Sequence, residues 1–193
     1  MATITAFESI TLDGVMQAPG RPDEDTRGGF AHGGWALGRD DETTMAFAAA
    51  SMARTRALLL GRRTYDDLLG FWTSTPEPNP FTEVLLAQQK YVVSRDDDAQ
   101  PGYPASTLVV GEATETVARL RAEVDGVLTV LGSGALVRSL HRAGLVDEYV
   151  LQIHPVVLGS GTRLFGEAAR ADLALVEATT SSTGVLLARF RVG

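Results

Sequence analysis

The sequence predicts an α/β domain whose sheet is mainly parallel, with an antiparallel edge. The short, wholly apolar run at residues 57–60 suits a strand covered on both faces, as in parallel sheets, and residues 127–131 read as another strand. Helical patterns alternate with such runs through most of the chain, which is the signature of βαβ units. Near the end the pattern changes. Residues 173–180 and 185–192 are two long β patterns joined by SSTG, which predicts a hairpin.

The elements follow in order. Residues 3–9 read as a first strand, with Ile4 and Ala6 on one face and Thr5 and Phe7 on the other. Residues 15–34 are rich in Gly, Pro and charge; a loop of about twenty residues is either a lid or binding loop or a disordered surface excursion. Asp40, Asp41 and Glu42 precede a small-residue helix at 43–54, and acidic groups suit that N-terminus. After the strand at 57–60, Thr64 is a natural N-cap for a helix beginning at 64–69. The tract TSTPEPNP at 73–80 is a loop and 81–88 a short helix, followed by apolar strands at 91–94 and 108–110. Thr114 can N-cap a helix whose Val117, Leu120, Arg121 and Val124 share a stripe, with Gly126 ending it. The block from Leu131 to Phe165 then reads as a strand end, a glycine turn, an amphipathic helix and a returning strand. A second glycine cluster, Gly159-Ser160-Gly161, ends that strand.

Composition bounds the function. The 193 residues fit one domain, 1–193, and 45% apolar with 21% charged residues is ordinary for a globular protein. No apolar run is long enough to span a membrane, and the N-terminus lacks the basic region of a signal peptide. Cysteine is absent, which excludes disulfides and thiolate metal sites and fits a cytoplasmic protein. The net charge of −7 argues against a nucleic-acid surface. Lys90 is the only lysine, so the other basic residues are all arginine.

The chemistry gathers at three strand ends. LLLGRRTYDDL places Gly61, Arg62, Arg63 and Thr64 where a buried strand runs into a helix, the position at which open α/β sheets bind ligands. Two guanidinium groups there suit a phosphate, although a capped helix with solvated arginines has the same pattern. KYVVSR ends another strand in Ser94-Arg95, and Gly132-Ser133-Gly134 follows a third. A glycine turn of that kind presents backbone N–H groups to an anion. The three histidines, His32, His141 and His154, have no metal-ligand spacing and read as structural or solvated; no G-x-S-x-G motif occurs. Asp13-Gly14 is strong turn chemistry between the first strand and the loop.

These segments resemble the dihydrofolate reductase superfamily, in the branch that shares the reductase domain of bacterial riboflavin biosynthesis. The residues that carry the resemblance are ITLDG, LLLGRRTYDDL, KYVVSR and the long block with its GLVDE, PVVLG and GTRLF pieces, in the family's order across most of the chain. The resemblance implies a three-layer α/β/α fold with a mainly parallel mixed sheet and a C-terminal antiparallel hairpin. It implies NADPH as cofactor, with Gly61, Arg62, Arg63 and Thr64 on its phosphates and Ser94 and Arg95 at the adenosine ribose. Gly132, Ser133, Gly134, Ala135 and Leu136 would cup its pyrophosphate. Folate reductases have consecutive glycines where this chain has Gly-Ser-Gly, a departure from them in which a hydroxyl could donate to phosphate. Several arginines near the 2′-phosphate position favour NADPH over NADH, no diol-binding acid being evident there. Ser9 is a candidate for the nicotinamide carboxamide. No His/Cys zinc signature occurs, so the riboflavin enzyme's deaminase domain is not expected.

The substrate side is carried by fewer residues. In the folate enzymes a tryptophan is followed by an acid that protonates and orients the pterin; here Trp35 is followed by Asp40, Asp41 and Glu42, which either supply that proton or only stabilise a helix N-terminus. Met45, beside Phe47 and Met52, either lines a substrate pocket or packs in the core. The expectation is an NADPH-dependent oxidoreductase, similar to 5-amino-6-(5-phosphoribosylamino)uracil reductase or dihydrofolate reductase, that reduces a small heterocyclic or carbonyl acceptor. The alternative is a catalytically silent nucleotide-binding module of the same fold. Relatives dimerise through their later strands, and residues 185–192 would be an exposed edge if unpaired, so a homodimer is expected.

Overall fold

A computed structural model describes residues 1–75, 79–98, 100–166 and 170–193. Part of the expected loop at 73–80 therefore lies outside the described residues. Among the described residues there are eight strands, mostly in parallel pairs with a C-terminal antiparallel hairpin, and five α-helices. The chain forms two compact units, one of Met1–Ile4 and Thr55–Leu145, the other of Thr5–Arg54 and Val146–Gly193.

In the first unit the strand order is β4-β3-β2-β5, every neighbouring pair parallel. These strands are Ser106–Val110, Lys90–Ser94, Thr55–Gly61 and Val127–Leu131 respectively. Ala57, Leu58, Leu59 and Leu60 of β2 are all buried, as a doubly covered strand requires. Helix α2 (Arg62–Ser74) buries Tyr65 and Leu69, and α4 (Ala113–Glu123) buries Thr116, Val117 and Leu120. Leu136, Val137 and Leu140 of α5 (Gly134–Arg142) make up its buried stripe. Helix α3 (Pro80–Ala87) has Pro80 in its first turn, and the Asn79 side chain accepts from Phe81 N–H.

Two expected caps are corrected. Neither Thr64 nor Thr114 caps a helix: α2 begins one residue after Gly61 and α4 one residue after Glu112, both without a side-chain cap bond. Each helix starts almost directly from the strand before it, so the threonine falls inside the first turn. Thr116 instead returns its hydroxyl to the Glu112 carbonyl.

In the second unit β1 (Thr3–Thr11) runs parallel to β6 (Glu148–His154), which pairs antiparallel with β8 (Leu186–Val192), and β8 with β7 (Leu173–Thr180). The hairpin matches the sequence reading, and it forms the expected antiparallel edge. Because β8 is paired on both sides, the exposed edge is β7, with Leu175 61% and Val176 49% accessible. The glycine cluster 159–161 also lies beyond the end of β6 rather than at it. Helix α1 (Glu42–Arg54) buries only Thr44 and Ser51. Among the described residues no helix is long and apolar enough to cross a membrane.

The loop at 15–34 packs on the core through residues 15–18 and Phe30, while residues 26–29 and 31–32 are exposed. Val15, Ala18, Phe30 and Trp35 form a buried cluster. Gln17 ties the segment down, accepting from Thr162 N–H and donating to the Asp25 and Arg27 carbonyls. Gly161 makes the crossing possible. A Cβ there, at φ +110°, would stand 2.6 Å from Phe30 Cε2 and 2.8 Å from Val15 Cγ1.

Candidate functional site

Three strand ends converge on a groove of about 290 Å³ in the first unit. Gly61 at the end of β2, Ser94 at the end of β3 with Arg95 just after it, and Ala135 and Leu136 on α5 all line it. The first-turn N–H groups of α4 and α5 have no intrahelical acceptor, and a helix N-terminus attracts anions. At α5 the turn is built by Gly132 at φ +63° and Ser133 at φ 65°, ψ 53°. Two successive left-handed residues swing the chain sharply from β5 into the helix. At that φ a side chain on Gly132 would be strained, and its Cβ would meet Thr64 Cγ2 at a tight 3.1 Å.

The two glycine-bearing motifs are joined. Gly61 N–H donates to Ser133 Oγ at 2.9 Å, so that amide is not available to a ligand. The hydroxyl accepts through its oxygen, which leaves its own proton free to donate. The remaining donors are backbone N–H groups, a hydroxyl and the Arg95 guanidinium, and that set suits phosphate oxygens. The residues present fit the phosphate-bearing part of a dinucleotide.

The arginines are less free than their number suggests. Arg62 Nε donates to Asp66 Oδ2 at 2.7 Å, one turn along α2. Arg95 Nη1 lies 3.8 Å from Glu112 Oε1, while Arg63 is exposed. Ser94 Oγ accepts from Asp96 N–H. Gly111, Glu112, Ala113 and Ser139 also line the groove, and the sequence reading did not include them. Their signal is Gly111-Glu112 directly after an apolar strand, which a helix capped at Thr114 leaves outside the site.

The other candidates belong to the second unit. Ser9 donates its hydroxyl to Gln152 Oε1 at 3.1 Å. Trp35 is buried, its indole N–H donating to the Gln17 carbonyl at 2.7 Å and its ring edge-on to His154. Met45 is 61% exposed, so it is not a core residue. Asp40 and Glu42 are exposed. Asp41 is committed: it accepts from Thr44 N–H through Oδ1 and from both the Ser182 N–H and hydroxyl through Oδ2. The Ser182 hydroxyl, then the Thr44 amide, hold its carboxyl below the usual carboxylate range. It is the cap of α1 and stays ionised at neutral pH, the opposite of what a proton donor needs.

Asp13 is the other committed acid. Its carboxylate accepts from the Thr11 hydroxyl at 2.6 Å and from the Gly159 and Leu158 amides at 2.9 and 3.2 Å. The ITLDG turn and the PVVLG segment are thus one assembly. His154 is neither solvated nor hydrogen-bonded. It is 2% exposed, and neither ring nitrogen has a hydrogen-bond partner.

The family model for the RibD C-terminal domain matches residues 2–187. An uncharacterized Bacillus subtilis (strain 168) protein, YyaP, is 33% identical over 135 residues, 67% of this chain and 70% of that one. A proposed riboflavin biosynthesis protein from Shewanella sp. PV-4 shares the fold, with a TM-score of 0.70 at 23% identity over 100% of this chain and 99% of that one. A dihydrofolate reductase from Enterococcus faecalis, solved in complex with NADP(H), has a TM-score of 0.63 at 14% identity, covering 99% and 96% of the two chains.

Proposed function

The chain belongs to the RibD C-terminal domain family, and on that premise we propose that it is a reductase that uses NADPH to reduce a small heterocyclic or carbonyl acceptor. The observation that carries this reading is the groove at the carboxyl ends of β2, β3 and β5, where the N-termini of α4 and α5 and Arg95 offer donors to phosphate. The N–H groups of Ala135 and Leu136, with the Ser133 hydroxyl, hold the pyrophosphate. Ser94 and Arg95 take the adenosine ribose end. Bound there, NADPH supplies the hydride. No protein nucleophile is required, and none of the groups in the groove is arranged as one. With Asp41 locked as a cap, the proton that completes the reduction comes from solvent or through the exposed Asp40 or Glu42.

The test follows loss of the reduced nicotinamide's near-ultraviolet absorbance when the purified protein is mixed with NADPH and a panel of pterins, pyrimidines and quinones. Turnover on one acceptor supports the reading. Tight binding without turnover on any would make the protein a silent nucleotide-binding module, and absence of NADPH binding would sink both. The same family reading includes self-association, and the uncovered β7 edge with Leu175 and Val176 is the surface that suits it. Light scattering coupled to size exclusion measures it.

A further inference from the structure

We infer that Glu112 limits the preference of this groove for NADPH over NADH; the inference rests on the dinucleotide reading above and deepens it. Among the described residues, only two ionisable groups line the groove, Arg95 and Glu112, and they face each other at 3.8 Å. Dinucleotide sites discriminate at the adenosine ribose. A carboxylate there accepts from the 2′- and 3′-hydroxyls of NADH, whereas an arginine pairs with the 2′-phosphate of NADPH. This groove holds one of each.

The consequences follow from charge and placement. Both side chains are largely in water, 84% and 66% exposed, so their mutual attraction is weak and a ligand can displace it. A 2′-phosphate that pairs with Arg95 is brought within reach of the Glu112 carboxylate and is repelled by it. A ribose diol meets no such repulsion and gains an acceptor. Counting arginines in the sequence therefore overstates the selectivity. Arg62 is held by Asp66 and Arg95 is shared with Glu112. Glu112 is also free to serve this role, because as the residue preceding α4 it makes no side-chain cap bond.

The experiment measures dissociation constants of NADPH and NADH by calorimetry for the full chain, for Glu112→Gln and for Glu115→Gln. Glu115 is an exposed acid in the first turn of the same helix and does not line the groove. Glutamine keeps an acceptor for the diol and removes the charge. The expected result is a rise of about five- to tenfold in the NADPH/NADH affinity ratio for Glu112→Gln, the size of a like-charge contact near 4 Å in a wet site. Glu115→Gln should leave the ratio within twofold. Circular dichroism checks that both variants are folded. The inference is overturned if the ratio for Glu112→Gln stays within twofold of the parent, or if Glu115→Gln moves it equally. If the parent protein binds neither dinucleotide, the reductase reading itself fails, and this outcome is distinct from an unchanged ratio.

Discussion

The hydroxyl of Ser133 accepts the backbone N–H of Gly61 at 2.9 Å, a bond that fastens the turn after β5 to the turn after β2. Ser133 has φ 65°, a left-handed conformation that costs a non-glycine residue about 1–2 kcal/mol. A serine stands in that conformation where a glycine would fit without strain. The bond to Gly61 offsets the strain and ties the turn after β5 to the start of α2.

Two substitutions separate strain from bonding. Ser133→Ala keeps the left-handed strain and leaves Gly61 N–H without its acceptor, so it should destabilise the protein by about 1–3 kcal/mol. Ser133→Gly loses the same bond but relieves the strain, and should lie within about 1 kcal/mol of the parent. Urea denaturation of the three proteins measures the order. Equal losses for Ala and Gly would show that the left-handed conformation carries no cost here.

Strand β5 is legible in the sequence to its last residue, because five apolar or β-branched residues between Gly126 and Gly132 allow no other reading. The hairpin of β7 and β8 is equally clear from its turn. The caps of α2 and α4 were not legible. Cap rules look for a hydroxyl or carboxylate that closes the first turn. At the strand ends of this sheet the first turns of α2, α4 and α5 are left without such a bond, so the rule placed the caps at Thr64 and Thr114, inside the helices. That displacement hid Glu112. His154 was unreadable for another reason. Burial of a lone histidine depends on the Trp35 ring that covers it, which comes from a distant part of the sequence.

Asp13 should make stability fall in acid. Its carboxyl is held well below the usual range, first by the Thr11 hydroxyl and then by the Gly159 and Leu158 amides. A carboxylate with a depressed folded-state pKa contributes stability above its unfolded value, about 3.9, and loses it as pH falls toward the folded value. Asp13→Asn should therefore cost about 2 kcal/mol at neutral pH, with the gap to the parent narrowing below about pH 4. Denaturant titrations at a series of pH values measure this; a gap that does not change with pH would show that the carboxylate charge is not what holds the turn.

His154 should make the protein less stable across a different window. Burial, and then the charge of Arg39, push its pKa down to about 4. The folded state keeps the imidazole neutral, while the unfolded chain takes up a proton below about pH 6.5. Stability should therefore fall as pH drops from about 6.5 to 4, by about 3 kcal/mol in all. His154→Leu has no proton to take up and should flatten the slope in that window. An identical slope in parent and variant would assign the acid sensitivity to other groups.

Lys90 is the one lysine in a chain whose other basic residues are all arginine, and its position explains the exception. The side chain is fully buried, and Nζ donates to the Leu85 and Gln88 carbonyls at 2.6 Å and to Leu86 at 3.3 Å. Three carbonyls around the C-terminal end of α3 thus converge on one small ammonium, where a planar guanidinium has the wrong shape. Desolvation lowers the Lys90 pKa, and the three acceptors compensate the buried charge. Lys90→Met keeps most of the apolar stem and strands those carbonyls, so it should destabilise the first unit by about 3–5 kcal/mol. Lys90→Arg should also destabilise, because five donors and a larger head must enter a site built for three. Thermal unfolding of both variants tests this. A methionine variant as stable as the parent would show that the carbonyls find other donors and that the lone lysine is incidental to the fold.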